Sequence, residues 1–362
     1  MKSGLIKLLP NRVRRNYLGG KGIDELHSIY GTKDNDKPEE WVGSLVEATN
    51  PGMEVIPHEG LAKGIIGNKE EYLKNIIDSD PSYYLGSSIH KDGTYRMSFL
   101  YKILDSAMRL HVQVHPTSQF AREKMGKPYG KLECYFILGV REGYDPYIRL
   151  GFQHAPSKEE WKEIVEKQDI KRMDACFEKI PVKVGEVWYI PGGMPHAIGE
   201  GLTLLEIMEP SDLVVRCEFE REGIVVPPAG RFMNLGIDFC LDIFDYTSYS
   251  KEEIAKKCKI EPKVIKNTEA YTLTRLIDEK QTPCFFVEKL EINKPCEIVT
   301  NSKFNVGVVL EGNCKLIGDD GSVLELQRGD SFVIAASLKS YKVDLEKKVE
   351  FAFVYPGKDM EG

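Results

Sequence analysis

The sequence predicts a mainly β protein built from two antiparallel barrels, with its helices gathered in insertions. Three observations predict it. Short apolar stretches separated by turn residues recur along the chain, without βαβ alternation. No G-x-G-x-x-G joins a strand to a helix, which argues against a dinucleotide-binding fold. Gly185-Glu-Val-Trp-Tyr-Ile190 is echoed by Gly329-Asp-Ser-Phe-Val-Ile334 at an offset of 144 residues, as a duplicated barrel unit would give. At that same offset Ser340 stands where the first copy has His196, so a duplicated unit would lack a ligand there.

In chain order, the expected strands are Met108–His115, Cys134–Leu138, Val187–Ile190, Leu202–Met208, Leu213–Glu220, Cys284–Leu290, Asn305–Leu310 and Ser331–Ala335. Three helices carry start signals. Asn68-Lys-Glu-Glu71 opens one towards Asp78, Ser157-Lys-Glu-Glu160 one towards Met173, and Ser250-Lys-Glu-Glu253 one towards Lys259. In each, the first side chain can accept from a free backbone N–H while the last Glu reaches back, a capping box. This divides the chain into a first unit, 1–262, with helical insertions at about 60–95, 117–130 and 157–175, and a smaller unit, 263–362.

Composition narrows the function classes. The chain has 362 residues, with 49 Lys+Arg against 56 Asp+Glu, a net charge of −7. That balance, without a basic stripe, argues against nucleic acid. No stretch approaches the ~18 apolar residues of a membrane helix. The first twenty residues lack the apolar centre of a signal peptide, so the expected location is the cytoplasm. The eight cysteines show no C-x-x-C pair and read as reduced core residues.

The densest polar cluster is Leu110-His-Val-Gln-Val-His-Pro116. Alternation turns His111, Gln113 and His115 to one face and Leu110, Val112 and Val114 to the other. A solvent-facing sheet would explain this, and so would a polar pocket inside a barrel. Two further groups favour the pocket: Glu133 in Gly130-Lys-Leu-Glu133, and His196 in Pro191-Gly-Gly-Met-Pro-His196. Gln113, His115, Glu133 and His196 would make a site of two nitrogens and two oxygens. Such a set suits Zn²⁺, with other divalent ions also accommodated. Singly, each residue is more often hydrogen-bonded and inert. The combination carries the reading.

These segments resemble the type I phosphomannose isomerases, zinc-dependent enzymes of the cupin fold. The family's Q-x-H-P strand is matched by Gln113-Val-His-Pro116, its G-K-x-E turn by Gly130-Lys-Leu-Glu133, and its P-x-G-x-x-H-A loop by Pro191-Gly-Gly-Met-Pro-His-Ala197. Its E-x-M-x-x-S-D-x-x-V-R stretch is similar to the run from Glu206 to Arg216. Glu40-Trp41 is a weaker match to a strand bearing a Trp near the substrate. The resemblance implies a cupin (double-stranded β-helix, or jelly-roll) catalytic barrel and a second, smaller cupin-like barrel without metal ligands. It implies one Zn²⁺ per chain on Gln113, His115, Glu133 and His196. Lys131 and Arg216 are implied to face the sugar phosphate or its reacting carbons, with Trp41 and His111 beside the substrate and Glu206 as a proton-transfer group. His111 departs from the family, where many relatives carry Ser.

Glu206 and Arg216 are equally far from Ser211, so a turn at Glu209–Asp212 would make them cross-strand neighbours. The implied activity is interconversion of mannose 6-phosphate and fructose 6-phosphate through an enediol. The partner is then a small sugar phosphate, with no nucleic acid and no membrane, and the chain a monomer or homodimer. The nearest alternative is a metal-dependent isomerase or epimerase of another sugar. A cupin dioxygenase on Fe²⁺ and a non-catalytic sugar-binding barrel rank behind it.

Overall fold

The structure, a computed structural model, describes residues 2–89 and 94–357. Positions 90–93 of the expected 60–95 insertion and 358–362 of the second unit lie outside the described residues.

Four sheets form two barrels. In the first, a seven-stranded sheet runs in the order Lys259–Ile260, Val187–Ile190, Glu133–Val140, Leu202–Met208, Leu100–Asp105, Glu39–Val42, Arg12–Val13. It faces a five-stranded sheet ordered Ile180–Pro181, Tyr147–Leu150, His196–Ile198, Gln113–Val114, Val215–Arg216. All the ladders within both sheets are antiparallel.

Period-two alternation sorts the side chains. Leu104, Ile137 and Leu204 point between the two sheets with Ile148, Leu150 and Ile198, and fill one end of the barrel with hydrocarbon. Tyr101, Ile103, Phe136, Leu205 and Ile207 point the other way, into a core shared with Phe285, Val287, Val306, Val308 and Val354 of the second barrel. The inner positions at the opposite end of the strands are Glu39, Lys102, Glu133 and Glu206, all buried. One end of the barrel is therefore apolar and the other charged.

The second barrel pairs a nine-stranded sheet with a four-stranded one around Leu290, Val309, Leu316, Phe332, Tyr341, Phe351 and Phe353. Its wide sheet recruits Leu5–Leu8 against Ser331–Ile334, and the hairpin Lys63–Ile66/Lys69–Tyr72 beyond it. The first unit expected from the sequence thus lends three strands to the second, and the two share a core. The repeat is visible in the backbone. Gly185 and Gly329 turn with φ of 87° and 88°, each just before a strand, and His196 and Ser340 each begin the next.

Two of the three expected helices start as read, with complete capping boxes at Ser157 and Ser250, and the one from Ser250 also ends as read. The first breaks at Gln168, which adopts φ 51°, and a second helix, Ile170–Ala175, follows. The third expectation is corrected. Gly67-Asn68 form the two-residue turn of a hairpin, Glu71 lies in its second strand, and the helix begins only at Leu73. The strand expected over Met108–His115 is laddered only at Gln113–Val114, because the buried Glu218 carboxylate, paired with Arg109, takes the Val112 amide. Leu213–Glu220 likewise shortens to Val215–Arg216, with Glu220 in a separate hairpin.

Candidate metal centre

Three chain segments meet at Pro116. A Cβ on Gly130 would lie 2.3 Å from the Pro116 carbonyl oxygen, and one on Gly192 2.7 Å from it. Only glycine permits either approach, which explains both positions in the motifs. The closure brings His115, Glu133 and His196 together, with one ligand atom from each within 4.8 Å of the others, all buried.

The imidazoles are pre-set. His115 Nδ1 lies 2.8 Å from the Leu213 carbonyl and His196 Nδ1 3.0 Å from that of Met194. A carbonyl only accepts, so both Nδ1 atoms donate. In the neutral rings, each Nε2 then carries a lone pair aimed at the shared point. Burial, followed by the nearby Lys131 charge, depresses His115 to about 3, so it stays neutral. Its Nε2 is buried without a hydrogen-bond partner, although Glu133 Oε1 is only 3.0 Å away. The distance fits a bond but the direction does not. Two acceptors in contact repel unless a cation lies between them. His196 Nε2 is 3.4 Å from Glu133 Oε2 and 3.3 Å from the Gln113 amide nitrogen, to which it is paired across the ladder.

Glu133 is fixed from other sides. Lys131 Nζ lies 2.9 Å from Oε1, and the Tyr135 hydroxyl donates to Oε2 at 2.7 Å. Burial opposes its ionisation, but Lys131 and the site's other groups hold it well below the usual carboxylate range. Two imidazole nitrogens and a carboxylate at one buried point fit a divalent ion such as zinc.

Beside this centre lies a charged chamber. Glu206 is opposite Lys102 in the ladder, and Lys102 is opposite Trp41. Lys102 Nζ is 2.9 Å from Glu206 and 3.5 Å from Glu39, while Glu39 also accepts from Tyr17 and from Trp41 Nε1, each at 2.7 Å. Burial opposes the charge on Glu39, and Arg15 and Lys102 overcome it, holding the carboxyl at about 2. Burial raises Glu206, with the Glu133 charge adding to it. Lys102 is itself raised, since its two carboxylates outweigh burial. Both partners of the pair therefore shift upward. For Glu206, burial outweighs the Lys102 charge that opposes it.

One expectation is corrected here. Glu206 and Arg216 are not cross-strand neighbours, because the chain leaves one sheet after Met208 and enters the other at Val215. Arg216 pairs instead with Gln113, and its Nη1 donates to the Gly230 carbonyl at 2.8 Å. Burial and the neighbouring Arg15 lower Arg216 to about 10, so it remains charged at neutral pH. Arg15 and Arg216 line one crevice with Asn50, Met53 and Pro227. Trp41 walls the chamber, with Arg15 and Lys102 5.7 and 5.8 Å from its ring centroid. His111 is buried, its Nε2 without a partner.

Sequence reasoning missed Lys102, Glu39, Arg15 and Tyr135. For Lys102 a signal exists: a lone ammonium in the apolar run Leu100-Tyr-Lys-Ile-Leu104 needs a buried counter-charge. The other three sit in patterns that also describe ordinary strands.

Barrel and centre together define a cupin with a metal-competent His–Glu–His site. The family model for the phosphomannose isomerase type I catalytic domain matches residues 17–131, and that for the mannose-6-phosphate isomerase cupin domain matches 279–356. A mannose-6-phosphate isomerase of Streptococcus mutans serotype c is 30% identical over 247 residues, covering 68% of this chain and 70% of that protein. In fold the chain is similar to the mannose 6-phosphate isomerase of Bacillus subtilis, with a TM-score of 0.70 and 20% identity over 97% of this chain and 99% of the other. It is also similar to a mannose 6-phosphate isomerase bound with zinc and yttrium, with a TM-score of 0.68 and 17% identity over 98% and 100% of the two chains. The chain belongs to the type I phosphomannose isomerase family.

Proposed function

We propose that this chain is a mannose-6-phosphate isomerase, interconverting mannose 6-phosphate and fructose 6-phosphate with one zinc ion held by His115, Glu133, His196 and Gln113. The observation that carries the metal is His115 Nε2 facing Glu133 Oε1 at 3.0 Å without a hydrogen bond, while its Nδ1 is taken up by the Leu213 carbonyl. Gln113 joins when its amide turns its oxygen, rather than its nitrogen, inward. When bound, the ion supplies a Lewis-acidic charge for the oxygens on the sugar's first two carbons.

The chain's own groups do the rest. Glu206 is assigned as the base that moves a proton between the adjacent carbons. Its burial raises its proton affinity towards the working pH and keeps bulk water from competing. Lys102 orients it, and Lys131 offers a second donor to the charge growing on oxygen. Arg216 and Arg15 form the anion subsite, since two guanidiniums lining one crevice are relieved by a dianionic phosphate. Trp41 is assigned to pack along the sugar, and His111, buried with its Nε2 unpartnered, to the substrate side of the site.

Among the described residues no helix is long and apolar enough to cross a membrane. All eight cysteines are free and seven are buried, in keeping with a cytoplasmic enzyme. Monomer and homodimer are both compatible with this reading.

A coupled assay tests it. The purified chain is offered mannose 6-phosphate and a panel of other aldose phosphates, before and after chelation and zinc restoration. Turnover of mannose 6-phosphate, lost on chelation and recovered with zinc, is expected. Turnover confined to another sugar phosphate, or indifferent to chelation, contradicts it.

A further inference from the structure

Glu209 belongs neither to the metal centre nor to the charged chamber, yet its carboxylate is buried and bonded on both oxygens. Oε2 accepts from Ser118 Oγ at 3.0 Å and from the Leu132 amide at 3.3 Å. Oε1 accepts from Thr282 Oγ1 at 3.0 Å, with the Cys284 thiol at 3.9 Å. Thr282 is 2% exposed, and its hydroxyl in turn accepts from the Cys284 amide at 3.1 Å.

What this carboxylate grips is the segment bearing Lys131 and Glu133. Ser118 Oγ also accepts from the Gly130 amide at 2.9 Å, and the Ser211 hydroxyl donates to the Gly130 carbonyl. The Glu209 amide donates to the Leu132 carbonyl at 3.0 Å. Every main-chain polar group of Gly130 and Leu132 is therefore held, and Glu209 holds both of those on Leu132. Leu132 points into the shared core, while Lys131 and Glu133 on either side point at the site. Hydrogen bonds to a carboxylate are roughly twice as strong as neutral ones, so this clamp is stiff.

We infer that Glu209 is a positioning residue. It fixes Lys131 and Glu133 from behind, and through Thr282 it makes their placement depend on the second barrel, which supplies none of the proposed ligands. The inference rests on the metal reading above. It assigns the second barrel a role in the chemistry, as an anchor for one ligand-bearing segment.

The test uses the full-length chain as wild type, Thr282→Val and Thr282→Ser. Zinc affinity is read by competition with a chromophoric chelator, and kcat and KM are measured separately on the zinc-loaded protein. Thr282→Val keeps the shape and loses the hydroxyl. It is expected to weaken zinc binding about tenfold or more, in the range typical of groups that orient a metal ligand, and to lower kcat more than it raises KM. Thr282→Ser restores both. A Thr282→Val protein that melts lower but matches wild type in zinc affinity and kcat overturns the inference. If that variant does not fold, Ser118→Ala breaks the other arm of the same carboxylate within the first barrel. Zinc affinity at the wild-type level there overturns it equally. Wild type that binds no zinc sinks the metal reading instead. Wild type that binds zinc beside unaffected variants sinks this inference alone.

Discussion

His115 carries the strongest argument for the proposed metal site. Its Nδ1 is committed to a carbonyl, burial keeps the ring neutral, and its Nε2 meets a carboxylate oxygen where a proton would ordinarily be shared. Removing a ligand should leave the fold intact and empty the site. His196→Ala is expected to abolish zinc retention and activity, read by metal analysis of the purified variant, while far-ultraviolet circular dichroism stays unchanged. A variant that keeps stoichiometric zinc would show the ligand set to be wrong. Glu206 plays a separable part. Glu206→Gln is nearly isosteric and cannot take a proton, so kcat should fall by about 100-fold or more with zinc content preserved. Loss of zinc with unchanged kcat per bound ion would assign Glu206 to the metal instead.

At the scale of elements, the site is made by where strands stop. The five-stranded sheet sets His196, Gln113 and Arg216 side by side, and the seven-stranded sheet sets Trp41, Lys102 and Glu206 side by side. The segments that meet around Pro116 were legible as local motifs, with a steric reason on the page for Gly130 and Gly192. Strands such as Val187–Ile190 and Leu202–Met208 matched to the residue, since apolar runs between turns leave little choice. The Glu206–Arg216 pairing was misread for a physical reason: equal spacing about a turn predicts a hairpin only if both arms stay in one sheet. Lys102 escapes a motif reading because its signal, a lone charge in an apolar run, calls for a buried counter-charge without naming the partner. The second barrel's counterpart of His196 is Ser340, half-buried and bonded to Glu297. Ser340→Ala should change neither activity nor melting temperature by more than the usual scatter of a surface substitution, about 0.5 kcal/mol. A large loss of activity would refute the idea of a copy that has no ligand there.

Across the whole molecule, the two barrels are joined by a shared core and by three strands that the first unit lends to the second. Sequence offered no hint that Leu5–Leu8 would pair with Ser331–Ile334, because strand pairing across more than 300 residues leaves no local trace. One titratable contact lies at this junction. His27 follows the helix Lys21–Leu26, pairs with buried Glu40 at 2.9 Å, and packs on the Gly329 turn of the second barrel. Burial opposes its charge, but Glu40 outweighs burial and raises its pKa. A raised folded value stabilises the protein below the unfolded value of about 6.5, and the benefit is lost as pH climbs through the folded value. His27→Gln, which keeps a donor without the charge, should lower stability at pH 6 by about 1 kcal/mol and flatten its decline on the alkaline side. Melting temperatures measured from pH 6 to 9 check this, and parallel curves for the two proteins would contradict it.

The measurement that bears most directly on the central claim is X-ray absorption at the zinc edge of the metal-loaded chain. With eight free thiols available, sulfur ligation is the open competitor. The account predicts one zinc per chain in a shell of nitrogen and oxygen only, at about 2.0–2.2 Å with imidazole scattering beyond it. A sulfur shell at about 2.3 Å, or a chain that retains no zinc, would contradict it.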